Sequence, residues 1–281
     1  MGLSGLTNRD LVQTALTADG ESDAYWGAVR ELQKRGAPDV FELSSQLCDG
    51  GEPHARKLGL DVLGQLGYER GRPFLDESLP VAFRLAVDAD PLVRRSALAA
   101  LGNLGDPQSL SVLVSHMADP DARIRLVVAQ AIPPVFADSP QAEGVQALIQ
   151  LSDDSDKEVR DWATFGLGSL SDLDSDEIRN ALSRRLDDLE GDTAGEALVG
   201  LARRRDPKIV LRVDALLQAE VVGNLTVEAA GELADRTFVP SLQRLKRTGW
   251  AEGDPRGWLL EKALIACRTG IPMNEDERPT V

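Results

Sequence analysis

Aspartate and arginine recur together along this chain: Asp90 with Arg94, Asp119 with Arg125, and Asp154 or Asp156 with Arg160. Such pairs could act as a row of acid–base sites. Their fixed place in a recurring phrase argues for structure instead. One Asp caps each helix and accepts from a neighbouring arginine fork, repeat after repeat. Asp172, Asp174 and Asp176 have the first three ligand spacings of a calcium loop. The next required positions hold Glu177 where a glycine must turn the chain and Ser183 where a bidentate glutamate is needed, so the run reads as a solvated turn at a helix start. His54 and His116 fall in different repeats, and Cys48 and Cys267 are far apart in the chain, a poor donor set for zinc. There is no G-x-S-x-G elbow and no phosphate-binding glycine loop. Gly166 and Gly168 lie inside a helical pattern and read as close helix packing. No catalytic, cofactor-binding or metal-binding residue is expected.

Whatever these residues do depends on the elements that hold them, and those elements repeat. The clearest unit runs from Asp90 to Pro107, with a core written D-x-x-V-R-x-x-A-L-x-x-L-G. Val93, Ala97, Leu98 and Leu101 fall on one helical face. Gly105 suits a left-handed stop, and Asp106-Pro107 suits the start of the next helix. Arg56 with Leu60, Leu63 and Gly64 repeats the phrase upstream. Downstream copies are Ile124-Arg125 with Val128 and Ile132, and Val159-Arg160 with Ala163, Leu167 and Gly168. The four arginines are 38, 31 and 35 residues apart. Degenerate copies hold Ala28, Val29 and Leu32; Ala197, Leu198 and Leu201; and Ala229, Ala230 and Leu233. Each unit adds a second striped helix, such as Leu110, Leu113, Val114 and Met117, or Ile178, Leu182 and Leu186. Two amphipathic helices of this length cannot close a core alone, but a stack of them can.

The phrase resembles HEAT repeats, in the short variety typified by phycobilisome-lyase-like proteins, over roughly residues 20–250. Tetratricopeptide and ankyrin arrays have similar periods, and their signature residues are missing here. The resemblance implies an all-α fold, an α-solenoid or armadillo-like superhelix of about six or seven helix pairs. The expected organisation is a single array over residues 1–273. Residues 1–20 form an N-terminal cap helix (Leu11, Val12, Ala15 and Leu16 apolar), residues 255–268 a C-terminal cap helix, and residues 274–281 a disordered tail.

Composition narrows the function. The 281 residues carry 31 Lys and Arg against 46 Asp and Glu, a net charge of −15, so phosphate backbones are repelled unless a local basic patch intervenes. Residues 152–196 hold 14 acids against 5 bases, a local balance of −9, which points to a basic protein or peptide as partner. Nucleic acid is not expected. No secretory signal or membrane span is read, and two distant cysteines suit a reducing, cytoplasmic setting. The resemblance places the second helices on the concave side. Their non-core residues include Gln108, Ser111, Ser115 and His116, then Glu143, Gln146 and Gln150, then Glu177, Asn180, Arg184 and Arg212, a polar strip suited to a partner protein. The expected function is a non-enzymatic interaction scaffold or adaptor. Two other readings follow from resemblance. One is a phycobilisome-lyase-like accessory protein acting on a chromophore or protein substrate. The other is a HEAT-type alkylpurine DNA glycosylase, a family that uses Trp and Asp on a concave surface, for which Asp161-Trp162 is the pair to nominate. The acidity of residues 152–196 opposes the glycosylase reading.

Overall fold

The computed structural model describes residues 3–136, 142–250 and 257–272. Among them are sixteen α-helices and no strand. The chain divides into two compact units, Met1–Ala147 and Leu148–Val281. The first holds α1 (Asn8–Thr17), α2 (Asp23–Arg35), α3 (Pro38–Cys48), α4 (Pro53–Leu63), α5 (Leu75–Leu85), α6 (Pro91–Leu104), α7 (Leu110–Ser115) and α8 (Ala122–Phe136). After α9 (Ala142–Leu151) the second holds α10 (Lys157–Gly168), α11 (Asp176–Arg185), α12 (Gly191–Arg203), α13 (Val210–Leu217), α14 (Asn224–Leu233), α15 (Val239–Arg247) and α16 (Gly257–Thr269). No helix among the described residues is long and apolar enough to cross a membrane.

The phrase explains its own helix. Asp90 Oδ1 accepts from the Leu92 amide at 2.9 Å, Pro91 fills the first turn, and Gly105 closes α6 with φ of 68°. Asp156 caps α10 in the same way, accepting from Glu158 and Val159 at 2.9 and 3.3 Å. The stripe residues Val93, Ala97, Leu98 and Leu101, with Ile124, Val128 and Ile132 and with Val159 and Ala163, are fully buried. Each branched or long side chain so buried contributes about 1.5–3 kcal/mol. Asp106 and Asp206 each start a short 3-10 turn, accepting from the amide two residues on at 2.8 and 2.9 Å, and these turns run into α7 and α13.

The arginine ladder is structural, and its geometry is more specific than its spacing implies. Arg160 donates through one nitrogen to the carbonyls of Asp154 and Ser155, bracing its own loop, at 3.0 and 3.1 Å. Its other edge forks onto Asp188, 28 residues on, at 3.0 and 3.2 Å. Arg56 repeats this on Asp88 at 2.9 and 3.0 Å. The loop before α6 thus uses two aspartates: Asp88 takes the fork from the preceding repeat, and Asp90 caps the helix that follows. In the loop before α12, Asp188 takes the fork and Glu190 stands in the second place without capping.

Within each unit the phrase helices pack directly on one another: α4 on α6 and α6 on α8, then α10 on α12, α12 on α14 and α14 on α16. Small residues permit this. A Cβ on Gly102 would lie 2.5 Å from the Ala131 Cβ, and one on Gly200 would lie 2.5 Å from the Gly168 Cα. Substituting either would force backbones apart.

At the N-terminus a capping box between Thr7 and Asp10 starts α1, where Leu11 and Ala15 are buried as the apolar pattern requires. The C-terminal cap helix spans Gly257–Thr269; its expected start at Pro255 and the tail at 274–281 lie outside the described residues. The acidic turn before α11 is capped by Ser175, while Asp172 and Asp174 face Arg203 and Arg179 at 2.7 and 2.6 Å.

Candidate functional site

The polar strip expected on the second helices is distributed over α7, α9, α11, α13 and the turn before α7. Gln108, Ser111, Ser115, Glu143, Gln146, Gln150, Glu177, Asn180 and Arg184 are exposed, and His116 and Arg212 are half-buried. Several are engaged locally. His116 Nδ1 and Ser115 Oγ both meet the Val112 carbonyl, at 2.9 and 2.7 Å. Arg184 pairs with Asp153 at 2.9 Å, and Arg212 pairs with Asp187 at 2.8 Å. α7, α11 and α13 rest chiefly on the phrase helices.

The phrase helices of the second unit present a more concentrated surface. On α10, Val159, Ala163 and Leu167 face the core, which turns Glu158, Asp161, Trp162 and Phe165 to the other side. Trp162 is 38% exposed and stands edge-on to Phe165, ring centroids 5.7 Å apart at 82°. The Gly168–Gly200 approach brings α12 alongside, with Asp192 and Glu196 one turn apart. Between them lies a shallow depression of about 180 Å³ bounded by Asp161, Trp162, Glu190, Asp192 and Thr193.

The electrostatics of this face are one-sided. Burial pushes the Glu196 carboxyl up to about 7, and the charges of Glu228, Asp161 and Asp192 push the same way, against a 3.0 Å hydrogen bond donated by Ser169. Asp161 is also raised, first by burial and then by Asp192, Asp188 and Glu190, although Thr193 Oγ1 donates to it at 3.2 Å. Two cations stand nearby: Arg160 is committed to Asp188, and Lys157, at the edge of the depression, lies 3.8 Å from Glu190 and leaves Asp161, Asp192 and Glu196 without an ion pair. Carboxylates this crowded favour whatever brings positive charge, a proton or a cation. A carboxyl titrating near neutrality also suits general acid catalysis. A shallow, open depression suits a binding contact better, because substrate pockets enclose their ligands.

Reading the residues in order flagged this region by its charge and singled out Asp161 and Trp162. It passed over Asp192, Glu196 and Glu228, whose only signal was their placement on the outward side of degenerate phrase copies.

A model of HEAT repeats matches residues 76–133. The X-ray structure of YibA superposes with a TM-score of 0.71 at 23% identity, covering 95% of this chain and 94% of that one. The chain has the fold of a HEAT- and armadillo-type α-solenoid. By sequence, this solenoid is 26% identical to Protein YibA of Escherichia coli strain K12 over 225 residues, 78% of each chain. Importin beta shares the fold with a TM-score of 0.65 at 16% identity, covering 95% of this chain and 40% of that one. Kap121p does so at 0.66 and 13%, covering 86% and 30%. Stacked helix pairs of this kind can offer extended surfaces to other macromolecules.

Proposed function

We propose that this solenoid acts without catalysis, as a scaffold or adaptor whose phrase-helix face at Asp161, Trp162, Asp192 and Glu196 takes a basic segment of a protein partner. In a stack of helix pairs the rank whose helices lie closest forms the inner surface. On that ground the binding face belongs to the phrase helices rather than to the second helices. The observation that carries the reading is a half-exposed Trp beside carboxylates that repel one another. An arginine or lysine laid across Trp162 gains a cation–π contact and charge-assisted hydrogen bonds while relieving that repulsion. Charge complementarity of this kind speeds association and makes it salt-sensitive.

The test is fluorescence anisotropy of a labelled Arg/Lys-rich peptide with the full chain at low and high salt. Trp162→Ala and the double change Asp161→Asn with Asp192→Asn are each expected to weaken binding about tenfold, near 1.4 kcal/mol. Binding indifferent to salt and to both variants overturns the reading.

Asp161 and Trp162 side by side are also what the glycosylase reading requires. The carboxylates around them oppose the duplex such an enzyme must hold, since neutralising phosphates takes cations. Release of alkylated base from DNA, lost in Asp161→Asn, would favour that enzyme. A shift in bilin absorbance on mixing would favour the phycobilisome-lyase-like reading.

A further inference from the structure

A second surface, in the Met1–Ala147 unit, carries the opposite charge. α2 ends at Gly36 and the chain beyond α4 turns at Gly67, both left-handed, with φ of 54° and 67°. Their backbones touch: a Cβ on Gly36 would lie 3.0 Å from the Gly67 Cα. The Gly67 amide also donates to the Gln33 carbonyl at 3.2 Å. This joint fixes the short 3-10 turn Tyr68–Arg70 against the last turns of α2. Between them is a cavity of about 250 Å³, walled by Arg30, Lys34, Arg70 and Tyr68, with Glu69 as its one carboxylate.

Most cationic groups discussed above are engaged, by ladder aspartates, loop carbonyls or surface acids. Arg35, in the same turn as Lys34, is held by Glu31 at 3.0 Å and Asn8 at 2.6 Å. Arg30, Lys34 and Arg70 differ, having no ion-pair or hydrogen-bond partner for their side chains among the described residues. Beside them Tyr68 is 63% exposed, with the Arg72 guanidinium 5.0 Å from its ring centroid. In a chain of net charge −15, three unspent cations on a rigid glycine joint form a local exception to the global field.

We propose that this cavity binds carboxylates of an acidic segment of a partner protein. Three cations match two or three carboxylates through charge-assisted hydrogen bonds. The size of the exception selects the ligand class. A nucleic acid would extend past the cavity into the acidic surroundings, which act over a screening length of about 10 Å. A short acidic peptide stays within reach of the cations. The site is independent of the acidic face on the other unit.

The experiment is anisotropy of fluorescein-labelled hexaglutamate titrated with the full chain, in parallel with labelled single-stranded DNA. The triple change Arg30→Ala, Lys34→Ala and Arg70→Ala is expected to weaken hexaglutamate binding about tenfold or more. Charge reversal at the same positions to Glu should abolish it. Thermal unfolding of the variants should match the parent, because the three side chains are exposed and unpaired. Hexaglutamate that fails to bind, or that binds the triple variant as well as the parent, overturns the proposal. Tighter binding of DNA than of hexaglutamate through the same residues overturns the ligand class.

Discussion

The position after the phrase arginine holds Lys57 in the first unit and Asp161 in the second, and the surroundings of the two differ as much as their signs. Lys57 is 3% exposed and fully partnered. Its Nζ meets Asp61 Oδ2 at 2.6 Å and the Gly20 carbonyl at 3.2 Å, and lies 4.1 Å from the centre of the Tyr25 ring. The Tyr25 hydroxyl donates to the same carboxylate at 2.6 Å. One helix further on, Arg95 is met by Glu21 at 2.6 Å. Around Asp161 the neighbours are carboxylates, and Glu196 responds by holding its proton to about pH 7. The first arrangement is closed, with its buried cation and carboxylate paired. The second keeps a surplus of like charge, which a proton or an incoming cation relieves. A repeat fold can hold both, because the ladder and the apolar stripe fix the helices and leave the intervening positions free.

The largest effect should come from breaking the closed arrangement. Lys57→Met leaves Asp61 charged and buried without its counter-ion, and is expected to cost about 3–5 kcal/mol in urea unfolding. Adding Asp61→Leu should recover much of that loss. A cost below about 1 kcal/mol for the single change would mean that water or Tyr25 alone satisfies the carboxylate.

A smaller effect sharpens the other side. Because burial raises the folded Glu196 carboxyl to about 7, above the ordinary glutamate value of 4.5, the folded state binds more protons than the unfolded chain between those values. Stability should therefore rise as pH falls from 7 toward 4.5. Glu196→Gln should add about 1 kcal/mol at pH 8 and almost nothing at pH 5. Equal gains at both pH values would show that repulsion at Glu196 is not what the substitution relieves.

The smallest effect concerns what the two units share. Asp188 is held below the ordinary carboxylate range, first by its hydrogen bonds from Arg160. Its contribution is present above the unfolded value of about 3.9 and is lost as pH falls through the lower folded one. Asp188→Asn should flatten the acid limb of the stability–pH curve slightly. An unchanged limb would place the acid sensitivity in other carboxylates.

Much of the fold is legible in the residues because it rests on local rules. The Asp caps, the left-handed Gly105 and the buried stripe from Val93 to Leu101 each need only neighbours within a turn or two. The site was legible only in part. Charge counting marked residues 152–196, but nothing local tells Glu196 that Ser169 and Asp161 will stand beside it. The strip on the second helices drew on resemblance, and local spacing alone does not say which face of a stack meets a partner.

Sequence alone determined the helices, their caps, the repeat and the sign of the charge, since these follow from periodicity and side-chain chemistry over short spans. Tertiary structure decided which groups meet across repeats. Arg160 reaches past its own loop to Asp188. Arg204 is buried against the carbonyls of Leu167, Gly168 and Ser171, and burial lowers it to about 10. Arg70 comes to rest beside Arg30 through two touching glycines. Each of these meetings joins residues more than 25 positions apart, and such a distance closes only when whole helices have packed.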